Sequence, residues 1–199
     1  MRFASLFLLN SLIILSASAQ TEDHPRYKTM GLDMEILSYG GSLGGFYAYH
    51  ISPGVSLNVA GDWTIVQAKD SFSYYTYYGQ PVTINNYNLS FVKLLAGASW
   101  YPFLESMHSS VQFGFFGSAG PLISLNTADD EALLDRWQDV STDVTATVRA
   151  GLELRVMSGV GAFYIFQLGY DYAHFDRLID TRQTYKGLFF QAGMEFLRR

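Results

Sequence analysis

The sequence predicts an all-β protein, an eight-stranded antiparallel up-and-down barrel of the transmembrane kind, and three observations predict it. The first is a strict alternation of side-chain character, clearest in "DVTATVRAGLELRV" (residues 143–156). Asp143, Thr145, Thr147, Arg149, Gly151, Glu153 and Arg155 fall on one side and Val144, Ala146, Val148, Ala150, Leu152, Leu154 and Val156 on the other, which is the two-residue period of a strand. The second is composition. Aromatic residues make up 16% of the chain and charged residues only 16%, with 14 tyrosines, a surplus that a membrane interface uses. The third is a regular difference among connections: those at 52–54, 102–109 and 158–161 are short, whereas 70–86, 126–142 and 174–186 are long and polar. Membrane barrels carry short turns at one end and long loops at the other. A water-soluble two-sheet sandwich also alternates, but its outer faces would meet water and require more charge than this chain carries.

Before any strand come Arg2, an apolar run from Leu6 to Leu15 broken by Asn10 and Ser11, and Ala17-Ser18-Ala19. This is the layout of a secretory signal peptide, residues 1–19, and the run is too short for a membrane-spanning helix. The chain has no cysteine, which excludes a disulfide framework, thiolate metal sites and acylation of a leader-proximal thiol. The formal charge of −5, made more negative by loss of Arg2 with the leader, argues against a nucleic-acid partner. Residues 20–30 are expected to be a short N-terminal segment and residues 31–199 the barrel.

The strands follow in order. Residues Leu32 to Tyr39 alternate weakly, and Gly40, Gly41, Gly44 and Gly45 allow a turn into "FYAYHI". "VSLNVAGDWTI" sets Val55, Leu57, Val59, Trp63 and Ile65 against Ser56, Asn58, Ala60, Asp62 and Thr64. "NYNLSFVKLLAGASWY" alternates Val92, Leu94, Ala96, Ala98 and Trp100 with Phe91, Lys93, Leu95, Gly97, Ser99 and Tyr101, and "VQFGFFGSAG" is the fifth strand. After residues 143–156 come "FYIFQLGYDY" and "GLFFQAGMEF", in which Leu188, Phe190, Ala192, Met194 and Phe196 oppose Gly187, Phe189, Gln191, Gly193 and Glu195.

Taken together, the leader, the alternating strands, the loop asymmetry and the terminal "QAGMEFLRR", with Gln191, Gly193 and Phe196, resemble small eight-stranded outer-membrane barrels of the OmpA and OmpX type. The likeness runs over the whole chain after the leader and departs from the family at Leu197-Arg198-Arg199, where the family usually stops. It implies a place in the outer membrane of a Gram-negative-type bacterium, both termini periplasmic, residues 20–30 on that side, and contacts with outer-membrane lipid and lipopolysaccharide. It also implies recognition of the C-terminal strand by the barrel-assembly machinery.

With apolar faces toward lipid, the polar faces line the lumen. Asp33, Glu35, Asp62, Lys93, Asp143, Arg149, Glu153, Arg155, Asp171 and Glu195 are expected there as one network. An eight-stranded interior is just wide enough for side chains to fill it, so the network is expected to plug the barrel. The alternative is a narrow cation-preferring channel in which Arg149 and Arg155 exchange partners as gates. Trp63, Trp100, Tyr164 and Tyr172, with Tyr101 at the rim on the opposite face, are expected as membrane-interface aromatics. Tyr74, Tyr75, Tyr77 and Tyr78, and Trp137 in a short helical stretch of the 126–142 loop, are candidate contacts for a surface partner.

No cofactor or metal site is assigned, because the acids Asp129, Asp130, Glu131, Asp135 and Asp139 match no calcium-loop spacing. A third reading, an enzyme acting on lipid A, needs a serine beside a histidine held by a carboxylate. The histidines available are His24, His50, His108 and His174. His108 with Ser109 and Ser110 lies in a short turn, on the side away from outer-leaflet lipid. His174 has Asp171 and Asp176 nearby but no serine, so no catalytic residue is assigned.

Overall fold

The computed structural model describes residues 27–67, 72–75, 77–78, 81–84, 87–102, 110–128, 141–158, 162–179 and 182–198. The strands are β1 (Tyr27–Leu37), β2 (Gly40–Ser52), β3 (Val55–Val66), β4 (Phe72–Tyr75), β5 (Pro81–Ile84), β6 (Tyr87–Trp100), β7 (Val111–Ala128), β8 (Ser141–Ser158), β9 (Ala162–Ile179) and β10 (Arg182–Arg198). Eight of them close into a barrel in the order β1-β10-β9-β8-β7-β6-β3-β2, each neighbouring pair antiparallel. β4 and β5 pair with each other as a hairpin between β3 and β6. The predicted fold class is the one observed.

The barrel is inside out relative to a water-soluble protein. Along β9, Tyr164, Phe166, Leu168, Tyr170 and Tyr172 are 37–52% exposed, while Phe163, Ile165, Asp171, Ala173 and Phe175 between and beyond them are buried. The same alternation exposes Leu32, Met34 and Ile36 on β1 and buries Asp33, Glu35 and Leu37. A continuous apolar exterior of this kind suits lipid and not water. Past Tyr172 the next outward positions, His174 and Asp176, are polar and exposed before the apolar Leu178, and on β10 the exposed Lys186 pairs with Tyr172. The upper edge of the apolar band therefore runs through Tyr172.

Three boundaries differ from the sequence reading. β1 begins at Tyr27, so it takes residues 27–30 from the expected N-terminal segment; residues 1–26, with the expected leader, lie outside the described residues. The first turn is Ser38-Tyr39, and the glycines expected to form it lie in β2. Close approach accounts for two of them: a Cβ on Gly40 would stand 2.1 Å from the Ile65 carbonyl oxygen and one on Gly44 2.2 Å from Asp62 Oδ1. The supposed long loop 174–186 is mostly strand, since β9 runs to Ile179 and β10 starts at Arg182, with one register shift between Arg182 and Thr184. Its polar residues mark strand that has left the apolar band.

Two further features shape the wall. β7 to β10 have 17 or 18 residues each, against 11 to 13 in β1 to β3. Pairing of β8 with β9 ends at Thr147 and Ala173, while β8 continues to pair with β7 as far as Ser141 and β9 with β10 as far as Ile179. The wall thus rises as two hairpins on one side, above the end of the barrel opposite both termini.

Candidate functional site

The lumen is the place where charge, burial and space meet. Strand alternation delivers six carboxylates to it, Asp33, Glu35, Asp62, Glu153, Asp171 and Glu195, each no more than 4% exposed, along with Lys93, Arg149 and Arg155. Buried ions of this kind persist only when paired or hydrogen-bonded, and the side chains sort into three tiers.

In the tier near the termini, Glu195 accepts two hydrogen bonds from Arg155, at 2.9 Å from Nε and 2.5 Å from Nη2, and Arg155 Nη1 donates to Gln112 at 2.9 Å. His50 Nε2 lies 3.0 Å from the same carboxylate, Thr29 also donates to it, and Tyr27 stacks on the His50 ring at 4.2 Å. Glu153 accepts from Ser99 at 3.1 Å, from Gln167 at 2.7 Å and from the Tyr101 hydroxyl.

The middle tier holds Arg149, which donates to Asp62 at 3.2 Å, pairs with Glu35 and lies over the Phe189 ring at 4.3 Å. Beside it Lys93 reaches Asp171 at 2.5 Å, and Asp171 accepts further bonds from Tyr39 at 2.9 Å and Thr147 at 2.8 Å.

Above these, toward the loops, the interior is apolar. Leu37, Leu89, Phe91, Leu122, Phe175 and Tyr185 are each no more than 6% exposed. The rings interlock, with Phe91 4.8 Å from Tyr185 and 5.8 Å from Phe175 between centroids, and the Tyr185 hydroxyl donates to the Ile179 carbonyl at 2.6 Å. Below the Arg149 tier a cavity of about 50 Å³ remains, bordered by His50, Ser99, Arg149, Glu153, Gln191 and Glu195. Space of that size and polarity suits ordered water.

Of the expected lumen residues, the structure gathers all but one in the lower two tiers. Asp143 is the exception: it lies above them, half-buried, with its carboxylate 3.8 Å from the exposed Arg177. It stands four residues beyond Thr147, where β8 has already parted from β9. Trp63, Trp100, Tyr164 and Tyr172 are outward and 42–52% exposed. Tyr101, expected with them, is 3% exposed and inside; it is one residue from Trp100, so alternation turns it to the other face, where Glu153 takes its hydroxyl.

Tyr77 and Tyr78 are 99% and 87% exposed with rings 5.7 Å apart. The side chains of Tyr74 and Tyr75, and Trp137 with the neighbouring acids Asp129 to Asp139, lie outside the described residues, as do His24, His108 and Ser109. His174 is exposed and bonds Thr184 at 2.9 Å. His50 meets Thr29 and Glu195 through the same Nε2, and among the described residues its Nδ1 has no hydrogen-bond partner, whereas a catalytic relay has a carboxylate there. His50, Thr29, Tyr39 and the ring layer escaped the sequence reading, although the inward parity of "FYAYHI" and of Phe91 was visible there.

Among the described residues, no three His, Asp or Glu side chains converge as a metal-binding group. No protein-family model matches the chain, and no curated protein matches it by sequence. Solved structures do match in fold. Neisserial surface protein A shares 9% identity over 86% of this chain and 96% of its own, with a TM-score of 0.58. A major outer membrane protein from Thermus thermophilus shares 9% identity over 88% of this chain and 100% of its own, with a TM-score of 0.50. The expected resemblance to small outer-membrane eight-stranded barrels holds at the level of fold.

Proposed function

We propose that the protein is a non-conducting outer-membrane barrel whose role is structural or interactive at the cell surface, with both termini on the periplasmic side. The observation that carries this reading is the ring layer of Phe91, Phe175 and Tyr185, 0–2% exposed, stacked on the paired charges of Arg149 and Lys93. An ion entering from the loop end would have to displace packed aromatic rings and then separate buried ion pairs. The exposed Tyr77 and Tyr78 support a contact surface on the loop side, because tyrosine is enriched where proteins meet partners. The outward apolar band supports a lipid surround, and the seam strand β10 carries the terminal pattern the assembly machinery reads.

The test is a pair of measurements on the chain refolded in detergent: mobility on gel electrophoresis before and after boiling, then current across planar bilayers. A mobility shift with no steady current is the expected result. A steady cation-selective current from the folded species would replace this reading with the channel, and turnover of lipid A would replace it with the enzyme.

A further inference from the structure

We propose that Asp33 and Asp62, seated over Gly44, form a binding site for one hard divalent cation of the calcium class inside the barrel, with the side-chain carbonyl oxygen of Gln191 as a third ligand. The register places Asp33 on β1 and Asp62 on β3 opposite Gly44 from either side. A Cβ on Gly44 would stand 2.2 Å from Asp62 Oδ1 and 2.7 Å from Asp33 Oδ1, so only glycine leaves room for both. The two oxygens are separated by no more than the sum of those distances, within the span of about 5.2 Å that bonds of up to about 2.6 Å to one cation allow.

The electrostatics ask for a cation at this place. Lys93 is committed to Asp171 and Arg155 to Glu195. That leaves Arg149 as the partner of Asp62 and Glu35, with Asp33 beside them, so one guanidinium faces three buried carboxyl groups. The free ligand atoms are also there. Asp62 gives Oδ2 to Arg149, whereas its Oδ1, the atom over Gly44, has no hydrogen-bond partner among the described residues, and neither have Gln191 Oε1 and Asp33 Oδ2, the second oxygen of the carboxyl group whose Oδ1 faces Gly44. Gln191 is 8% exposed and donates its amide N–H to Asp33, which leaves its Oε1 free for an ion. All three groups offer oxygen, the ligand of calcium and magnesium, and the neighbouring cavity, which Gln191 and Arg149 border, supplies water for the remaining positions. Asp33 and Gln191 stand on β1 and β10, so the bound ion ties together the first and last strands at the seam that closes the barrel.

Equilibrium dialysis of the chain folded in detergent against radioactive calcium tests this, with boiled and unboiled mobility confirming that each variant has closed. The expected result is one calcium per chain, retained when Asp129→Asn, Asp130→Asn and Glu131→Gln remove loop charge and lost in Gly44→Ala. If Gly44→Ala does not close, Asp33→Asn, which changes no volume, carries the comparison and is expected to lose the ion. Absence of bound calcium, or calcium lost with the loop acids, overturns the site. So does an infrared carboxyl band, present in the unaltered chain and absent from Asp62→Asn, that shows a proton shared between Asp33 and Asp62 in place of a metal.

Discussion

Lys93 on β6 and Asp171 on β9 meet at 2.5 Å across the lumen, with 0% and 1% of their side chains exposed. Neither ion has water to fall back on. Replacing Lys93 by Met leaves Asp171 with only Tyr39 and Thr147 as donors, and removal of one partner of a buried pair costs about 3–5 kcal/mol. Lys93→Met is therefore expected to unfold at markedly lower urea in a vesicle refolding titration, and Lys93→Met with Asp171→Leu to recover much of the loss. Equal stability of Lys93→Met and the unaltered chain would mean that Asp171 is not held as a buried ion.

On the proposed reading, the ring layer and the charge tier block the lumen in series. Phe91→Ala and Phe175→Ala each remove a packed ring at a cost of about 3–5 kcal/mol, yet neither is expected to pass current in a planar bilayer while Arg149 stays paired. Opening requires Phe91→Ala, Phe175→Ala and Arg149→Ala together. Current from Phe91→Ala alone would show that the charges below are no barrier.

Tyr101 and Trp100 are adjacent in sequence and opposite in role. Tyr101→Phe withdraws the hydroxyl from Glu153 and is expected to cost about 1.5–3 kcal/mol, the range for a hydrogen bond to a charged group. Trp100→Tyr, an interface exchange, is expected within about 0.5 kcal/mol of the unaltered chain. Refolding titrations of the two single variants decide the matter, and the reverse order would return Tyr101 to the interface.

A charge scan locates the lipid boundary. Phe166→Arg faces the apolar band and is expected to destabilise by about 2–4 kcal/mol, whereas His174→Arg, past Tyr172 on the same face of β9, is expected to cost about 0–1 kcal/mol. Similar costs at both sites would place His174 inside the band.

Which side of each strand faces the lumen was legible because side-chain direction alternates with the chain itself, so a single apolar or charged residue fixes its neighbours. That is why nine of the ten expected lumen residues lie in the two charge tiers. Strand ends were less legible. Just beyond Tyr172 the outward residues His174 and Asp176 are polar, and His174 to Lys186 therefore reads as loop although most of it lies in β9 and β10. The glycines of β2 read as a turn because glycine's tolerance of close approach and its freedom in turns leave the same mark in a sequence. The pairing inside the lumen was not legible at all: Arg149 on β8 reaches Asp62 on β3 and Glu35 on β1 across the bore, a geometry set by how the strands stagger around the closed cylinder.

The unequal strand lengths give the molecule a heading. A level cylinder presents the same profile from every compass point in the plane of a bilayer, but here β7 to β10 stand taller than β1 to β3. Rotation about the bilayer normal therefore swings a raised flank, edged by His174, Asp176, Arg177 and Lys186, past whatever lies alongside. Neighbours on that flank meet taller, mixed polar and apolar protein, with Val144 and Leu178 exposed among the charges, and neighbours on the other meet a low sill of Ile36 and Leu43. The barrel is in this sense a bearing with a marked side, and its orientation relative to an adjacent molecule is a degree of freedom that contacts can fix.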